Sequence, residues 1–122
     1  MYISPTRNFV DSIHNLMIEN YGGVPGILNN NSIESAIYSP QSSFGGKDLY
    51  DTDLKKCCKL FHALVSNHGY NDGNKRTGLM LFLWELDNCV ENSSKVTEST
   101  LENLTLGIAS GKLSYEDTYN II

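Results

Sequence analysis

The sequence predicts an all-α protein: a compact bundle of about six helices around one central hydrophobic helix, with a short flap loop or hairpin. Three observations predict it. Apolar residues recur at helical spacing along most of the chain. These stretches open on residues suited to helix N-caps. The one stretch with neither pattern, Gln41 to Thr52, is short and dense in Ser, Gly and Asp.

Ser4-Pro5 reads as a helix start, with Ser as N-cap and Pro at the first helical position. Phe9, Ile13, Leu16 and Met17 then form one buried stripe, which ends before Tyr21-Gly22-Gly23. Val24 to Asn30 is a loop. Asn31 with Glu34 resembles a capping box opening a short helix, with Ile33, Ala36 and Ile37 inward and Pro40 beyond its end. Gln41 to Thr52 is expected to be an ordered loop or short hairpin. Asp53 can cap the next helix, whose stripe is Leu54, Cys57, Cys58, Phe61, Leu64 and Val65, and one further step along it gives His68.

After a Tyr70 to Gly73 turn comes the most hydrophobic helix, Asn74 to about Asn88. Leu79 to Trp84 would cover every face of it, so it is expected to be central, with Leu83 in the core. Asn88 to Ser94 is polar punctuation. Thr97 or a neighbour caps a helix with Leu101, Leu104 and Ile108 inward, and Ser114 with Asp117 opens a last short one.

At 122 residues the chain suits one continuous core, so residues 1–122 are expected to form a single domain. Hydrophobic content of 40% with 19% charged residues is ordinary globular composition. A formal net charge of -5 argues against a nucleic-acid duplex as partner, because that affinity comes largely from neutralising phosphates. Any anion site must therefore be local. The three cysteines, Cys57, Cys58 and Cys89, have no disulfide spacing and read as reduced thiols. No secretory signal opens the chain and no apolar run approaches the ~20 residues of a membrane span. A cytoplasmic protein without a membrane partner is expected.

The stretch NHGYNDGNKRTG, Asn67 to Gly78, breaks a local rule. Lys75 and Arg76 fall in the first turn of a helix, where the dipole favours carboxylates. They are either two solvated side chains, at a cost of only ~0.3–1 kcal/mol, or the rim of an anion site. Asp72-Gly73-Asn74 can turn successive N–H groups toward a phosphate, and Arg76 can grip its oxygens bidentately. Asp72 is either a simple Asp-Gly turn residue or a hard ligand for Mg²⁺ held jointly with a polyphosphate. His68 is either a satisfied core histidine or a general base within reach of a hydroxyl brought to that phosphate. His14 and His62 read as surface or boundary residues. A zinc site built from His14, His62, His68 and Asp72 lacks metal-motif spacing, and Cys57 and Cys58 fall on a core stripe where thiols act as small apolar groups.

HGYNDGNKRT, His68 to Thr77, resembles the signature of the Fic/Doc family, approximately HxFx(D/E)(G/A)N(G/K)R, in the Lys-and-Thr form of its death-on-curing branch. YGGVPGI near Tyr21, SIESAIYSP near Ser32, FGGKDLY near Phe44 and GIASGKLSYED near Gly107 extend the resemblance from end to end. It implies a compact α-helical fold and a toxin of a toxin-antitoxin pair. That toxin would be a protein kinase moving the terminal phosphate of ATP to a Thr of elongation factor Tu and so halting translation. By the same resemblance His68 is the catalytic base, Asp72 holds Mg²⁺, and Gly73, Asn74 and Lys75 form the nucleotide-binding loop. Arg76 binds nucleotide and stabilises the developing charge, and Ser42 to Tyr50 is the counterpart of the flap that docks the target by main-chain pairing.

Tyr70 departs from the pattern's Phe, and its hydroxyl then needs a partner or water. The AMP-transferring members carry Gly at position 75 and Arg at position 79, whereas Lys75 and Leu79 stand here, which favours phosphate over AMP transfer. AMP transfer to a protein, and a catalytically silent nucleotide- or protein-binding helical module, are the alternatives. The family's inhibitory pattern (S/T)xxxE(G/N) is approached only by Ser94 with Glu98, and Ser99 spoils it. A separate antitoxin, a disordered segment folding onto an apolar groove, is expected instead.

Overall fold

The computed structural model describes residues 1–89 and 97–122. They form six helices in chain order: α1 (Arg7–Tyr21), α2 (Asn30–Tyr38), α3 (Asp53–Ser66), α4 (Asn74–Cys89), α5 (Glu98–Ala109) and α6 (Tyr115–Ile121). A 3-10 turn, Ser39–Gln41, follows α2, and a small antiparallel hairpin pairs β1 (Ser43–Phe44) with β2 (Lys47–Asp48). Gly45 and Gly46, at φ 59° and 80°, make the tight turn that only glycine enters freely. The predicted all-α bundle with a short hairpin is the observed architecture.

Two of the helix starts lie where the sequence places them. Thr97 caps α5, and Ser114 with Asp117 makes a complete capping box on α6. Three others are displaced by one or two residues. Thr6 caps α1 instead of Ser4, Asn29 caps α2 instead of Asn31, and Thr52 caps α3 instead of Asp53. In two of these cases the expected carboxylate is drawn elsewhere. Glu34 accepts from Arg7 at 2.8 Å, and Asp53 receives the N-terminal ammonium at 3.0 Å and the Tyr2 N–H at 2.8 Å.

α3 is the hub, packing against α2, the 3-10 turn, α4, α5 and α6. Its face of Cys57, Cys58, Phe61 and Val65 meets Phe82 and Leu86 of α4 and Leu101, Leu104 and Ile108 of α5. Phe61 and Phe82 stack with centroids 4.6 Å apart. A Cβ on Gly78 would lie 2.6 Å from Val65, so the glycine lets α3 and α4 approach closely. α4 lies between α1, α3 and α5, yet it is not covered all round: Met80 and Leu83 are 38% and 41% exposed. The expected core position of Leu83 is thus corrected, because the bundle is too small to wrap every face of α4.

Glu85 is wholly buried on α4. Cys89 Sγ donates to its Oε2 at 3.0 Å, while Oε1 and the nearby Tyr2 hydroxyl influence each other without completing a hydrogen bond. Burial pushes this carboxyl from 4.5 up to about 7. A carboxyl whose pKa is raised in the folded state holds its proton where the unfolded chain has lost it, so it costs stability as pH rises through that window. Glu85→Gln should match wild type below about pH 4.5 and exceed it by on the order of 3 kcal/mol above pH 7, read from urea melts across that range.

Candidate functional site

The turn from α3 to α4 is built by a reversal of backbone handedness. α3 ends at Ser66, Asn67 caps it through its N–H to Ala63 O, and His68 takes φ 50°. It is the sole non-glycine residue with positive φ among those described, a conformation that costs an L-residue roughly 1–2 kcal/mol and ends a helix abruptly. His68 therefore does not continue the α3 stripe. It leaves the helix and stands exposed on the wall of a cavity.

The backbone that follows has no helical partners, and its polar groups are satisfied from outside. Gly69 O accepts from the N–H groups of Leu28 and Asn29, both at 2.9 Å, and a side chain at 69 would collide with Ile33. Ile27 and Tyr70 form an antiparallel bridge, and the Asn71 N–H donates to Gly26 O. The side chain of Asn74 closes the turn, accepting from the Tyr70 N–H and donating to the Tyr70 carbonyl, each at 3.0 Å. The side chain of Asn74 is thus a latch on its own loop, and the place expected for it in the nucleotide-binding loop rests on its backbone N–H.

Asp72 Oδ1 accepts from the Gly73 N–H at 3.0 Å and Oδ2 from the Val24 N–H at 3.2 Å. Gly23 lies against the same carboxylate: a Cβ there would sit 2.8 Å from Oδ2. Gly73, at φ 81°, leads into α4, whose first turn has no acidic residue. Lys75 and Arg76 are exposed there, and among the described residues neither has a carboxylate within 4 Å. Arg76 rests 4.6 Å over the ring of Tyr21, a cation-π contact that leaves its guanidinium N–H donors unspent on any acid among the described residues.

All of the predicted site residues line one cavity of about 670 Å³, His68 and Asp72 through Arg76, together with Asn71 and Leu79. The opposite wall is α5, through Glu102, Thr105, Leu106 and Ala109, none of which the sequence singled out for a site. The hairpin contributes nothing to this lining. Ser94, half of the near-match to the inhibitory pattern, lies outside the described residues.

His14 is the residue most misjudged from sequence. It is 2% exposed, not a boundary residue, and its Nε2 lies 2.7 Å from Asp72 O. Its ring stacks on Tyr70, 3.7 Å between centroids and 7° between planes. The Tyr70 hydroxyl has a partner, donating to Asp11 Oδ1 at 2.5 Å, and burial, with that bond second, holds its pKa well above the usual phenol range. Asp11 pairs in turn with Arg7 at 3.0 Å. The signal was present in the spacing Val10, His14, Met17, which is the observed buried face of α1.

Other chemistry is not assembled among the described residues. No group of three or more His, Cys, Asp or Glu could hold a metal ion by itself. His62 is half-buried and donates to Leu113 O at 3.2 Å. All three cysteines are free and buried, and burial pushes the Cys58 thiol up to about 12, so these are inert core groups. Among the described residues no helix is long and apolar enough to cross a membrane.

The Fic/DOC family model matches residues 4–86. The chain is 32% identical over 118 residues to "Protein kinase doc" of Escherichia phage P1, covering 93% of this chain and 86% of that protein. The chain belongs to the Fic/DOC family.

If Asn74 is a latch, its loss is first a stability effect. Asn74→Ala should cost about 1–3 kcal/mol in urea unfolding, because it frees the backbone N–H and C=O of the buried Tyr70, whereas Lys75→Ala at the exposed neighbouring position should stay within roughly 0.5 kcal/mol.

Proposed function

We propose that this family member is a Doc-like toxin that transfers the terminal phosphate of ATP to a Thr hydroxyl of a translation factor, elongation factor Tu being the expected target, and so arrests translation. The observation that carries the reading is the gathering of His68 and the Asp72–Arg76 run along one wall of a 670 Å³ cavity, in a chain similar to a protein kinase. That volume is within the range of small-molecule sites, roughly 300–1,000 Å³.

The chemistry follows from what each group can do. Exposed His68, in its neutral form, accepts the proton of the acceptor hydroxyl as that oxygen bonds to the terminal phosphorus. The bond from phosphorus to the bridging oxygen breaks, ADP leaves, and His68 returns its proton to water. Lys75 and Arg76 neutralise the phosphate oxygens in a reaction that depends mostly on positioning and charge. The start of α4 adds the partial positive charge of its unpaired N–H groups. An anion in this place reverses the sign of a dipole cost that nothing else at α4 offsets.

The residues fit Mg²⁺ in a limited sense. Asp72 is a single carboxylate on the cavity wall, held by two backbone donors and with no cation paired to it among the described residues, which suits a metal shared with phosphate oxygens and not a protein cage. When bound, Mg²⁺ would neutralise charge on the phosphates beside Asp72. Leu79 lines the cavity where AMP-transferring relatives carry Arg, and Lys75 replaces their Gly; both favour phosphate over AMP transfer. Neutralisation by a separate antitoxin completes the proposed setting, in the cytoplasm.

The test uses ATP labelled on either the terminal or the alpha phosphate, incubated with the protein and purified elongation factor Tu. Label should reach a Thr from the terminal position only, and His68→Ala should slow it by about 10²–10⁴-fold. Label arriving only from the alpha position would establish AMP transfer instead. No transfer at all, with His68→Ala still inhibiting growth, would leave a binding module.

A further inference from the structure

Resting on the phosphotransferase reading, we propose that His14 is a positioning residue for the Asp72 carboxylate, acting through the peptide unit that joins Asp72 to Gly73. The imidazole is buried, and its Nε2 lies 2.7 Å from Asp72 O. A carbonyl oxygen only accepts, so Nε2 carries the proton. Stacking on Tyr70 fixes the ring plane, and Tyr70 is itself fixed at its hydroxyl by Asp11 and at its backbone by Asn74. The donor is therefore aimed before any ligand arrives.

A trans peptide points its C=O and its N–H in opposite directions. With the Asp72 carbonyl turned inward to His14, the Gly73 N–H must turn outward, and there it meets Asp72 Oδ1 at 3.0 Å. One bond thus orients the other across a rigid plane. The Val24 N–H holds the second carboxylate oxygen, so the side chain is gripped at both ends. Gly73 is pressed against the imidazole as well: a Cβ there would lie 3.4 Å from both Cδ2 and Nε2 of His14. Without the His14 donor the peptide plane can rotate, and the carboxylate loses one of its two anchors.

The ordinary alternative is a core histidine that merely fills space. The two roles separate by substitution, since packing needs a ring and positioning needs a donor. His14→Phe keeps the ring and removes the donor; His14→Gln loses the ring but carries an amide Nε2 donor at nearly the same reach. Full-length proteins are compared by exchange protection of the Gly73 amide in proton–nitrogen spectra, and by Mn²⁺ binding in the presence of a non-hydrolysable ATP analogue. Asp72→Ala marks the floor of the metal measurement.

His14→Phe should lose Gly73 protection and bind Mn²⁺ about 10–100-fold more weakly, the usual effect of removing a group that orients a ligand, and His14→Gln should recover most of both. A folded His14→Phe with unchanged Gly73 protection, or a His14→Gln as defective as His14→Phe, would overturn the assignment. Should His14→Phe not fold, the nitrogen signals of the wild-type imidazole decide: a proton on Nε2 supports the relay, and a proton on Nδ1 alone overturns it. A wild-type protein that binds no Mn²⁺ with the analogue overturns the phosphotransferase reading, while the relay is still judged at Gly73 and His14.

Discussion

The reversal between α3 and α4 is the constraint the rest of the structure obeys. Two helices of the main core are joined by seven residues, 67 to 73, that have no regular structure in which to satisfy their backbone polar groups. The donors and acceptors come from three other places: the Gly23 to Asn29 loop, the side chain of Asn74, and His14 on α1. The loop and His14 both fix Asp72, which faces the cavity, and Asn74 fixes the buried Tyr70 just before it. Structure and site are thus one solution: Gly23 and Gly69 stand where the chain comes too close for a side chain, and Gly73 where it takes a positive φ.

Charge separates this helix start from others in the molecule. α3, α5 and α6 carry acidic residues in the first turn, as the dipole favours, and the Arg7 that opens α1 is paired with Asp11 and Glu34, whereas Lys75 and Arg76 of α4 have no carboxylate partner among the described residues. The net charge of -5 does not oppose an anion there, because charges farther than a Debye length of about 8 Å are largely screened. What a bound anion meets is local. The cavity is electrostatically polar, with unpaired cations at the α4 end and Glu102 on the α5 wall.

Much of this was legible in the sequence, and what was not has identifiable causes. Helix existence and type follow from local periodicity, and the α6 capping box is wholly local. Caps shifted to a competent residue one or two positions earlier or later, and at α2 and α3 a distant partner drew the expected carboxylate away, as the N-terminal ammonium did for Asp53. The site residues were readable as a run because their chemistry is concentrated in consecutive positions. Their supports were not, since His14 meets a carbonyl 58 positions away and the α5 wall is reached only through packing. Nor does any residue type announce a left-handed histidine.

That left-handed residue explains why the arrangement works. Had His68 kept helical dihedrals, one more step along the α3 stripe would have taken it toward the core beside Leu64 and Val65, where an imidazole needs a buried partner and has no access to a hydroxyl from outside. The positive φ costs conformational energy, and a mobile loop would relax it. Here the next residue is pinned by two N–H donors and wedged against Ile33, so relaxation would have to break contacts on both sides of the chain. The strain is stable because the loop after it is over-determined. One loop serves both ends of the turn: its Leu28 and Asn29 N–H groups pin Gly69 beside His68, and its Val24 N–H holds the Asp72 carboxylate.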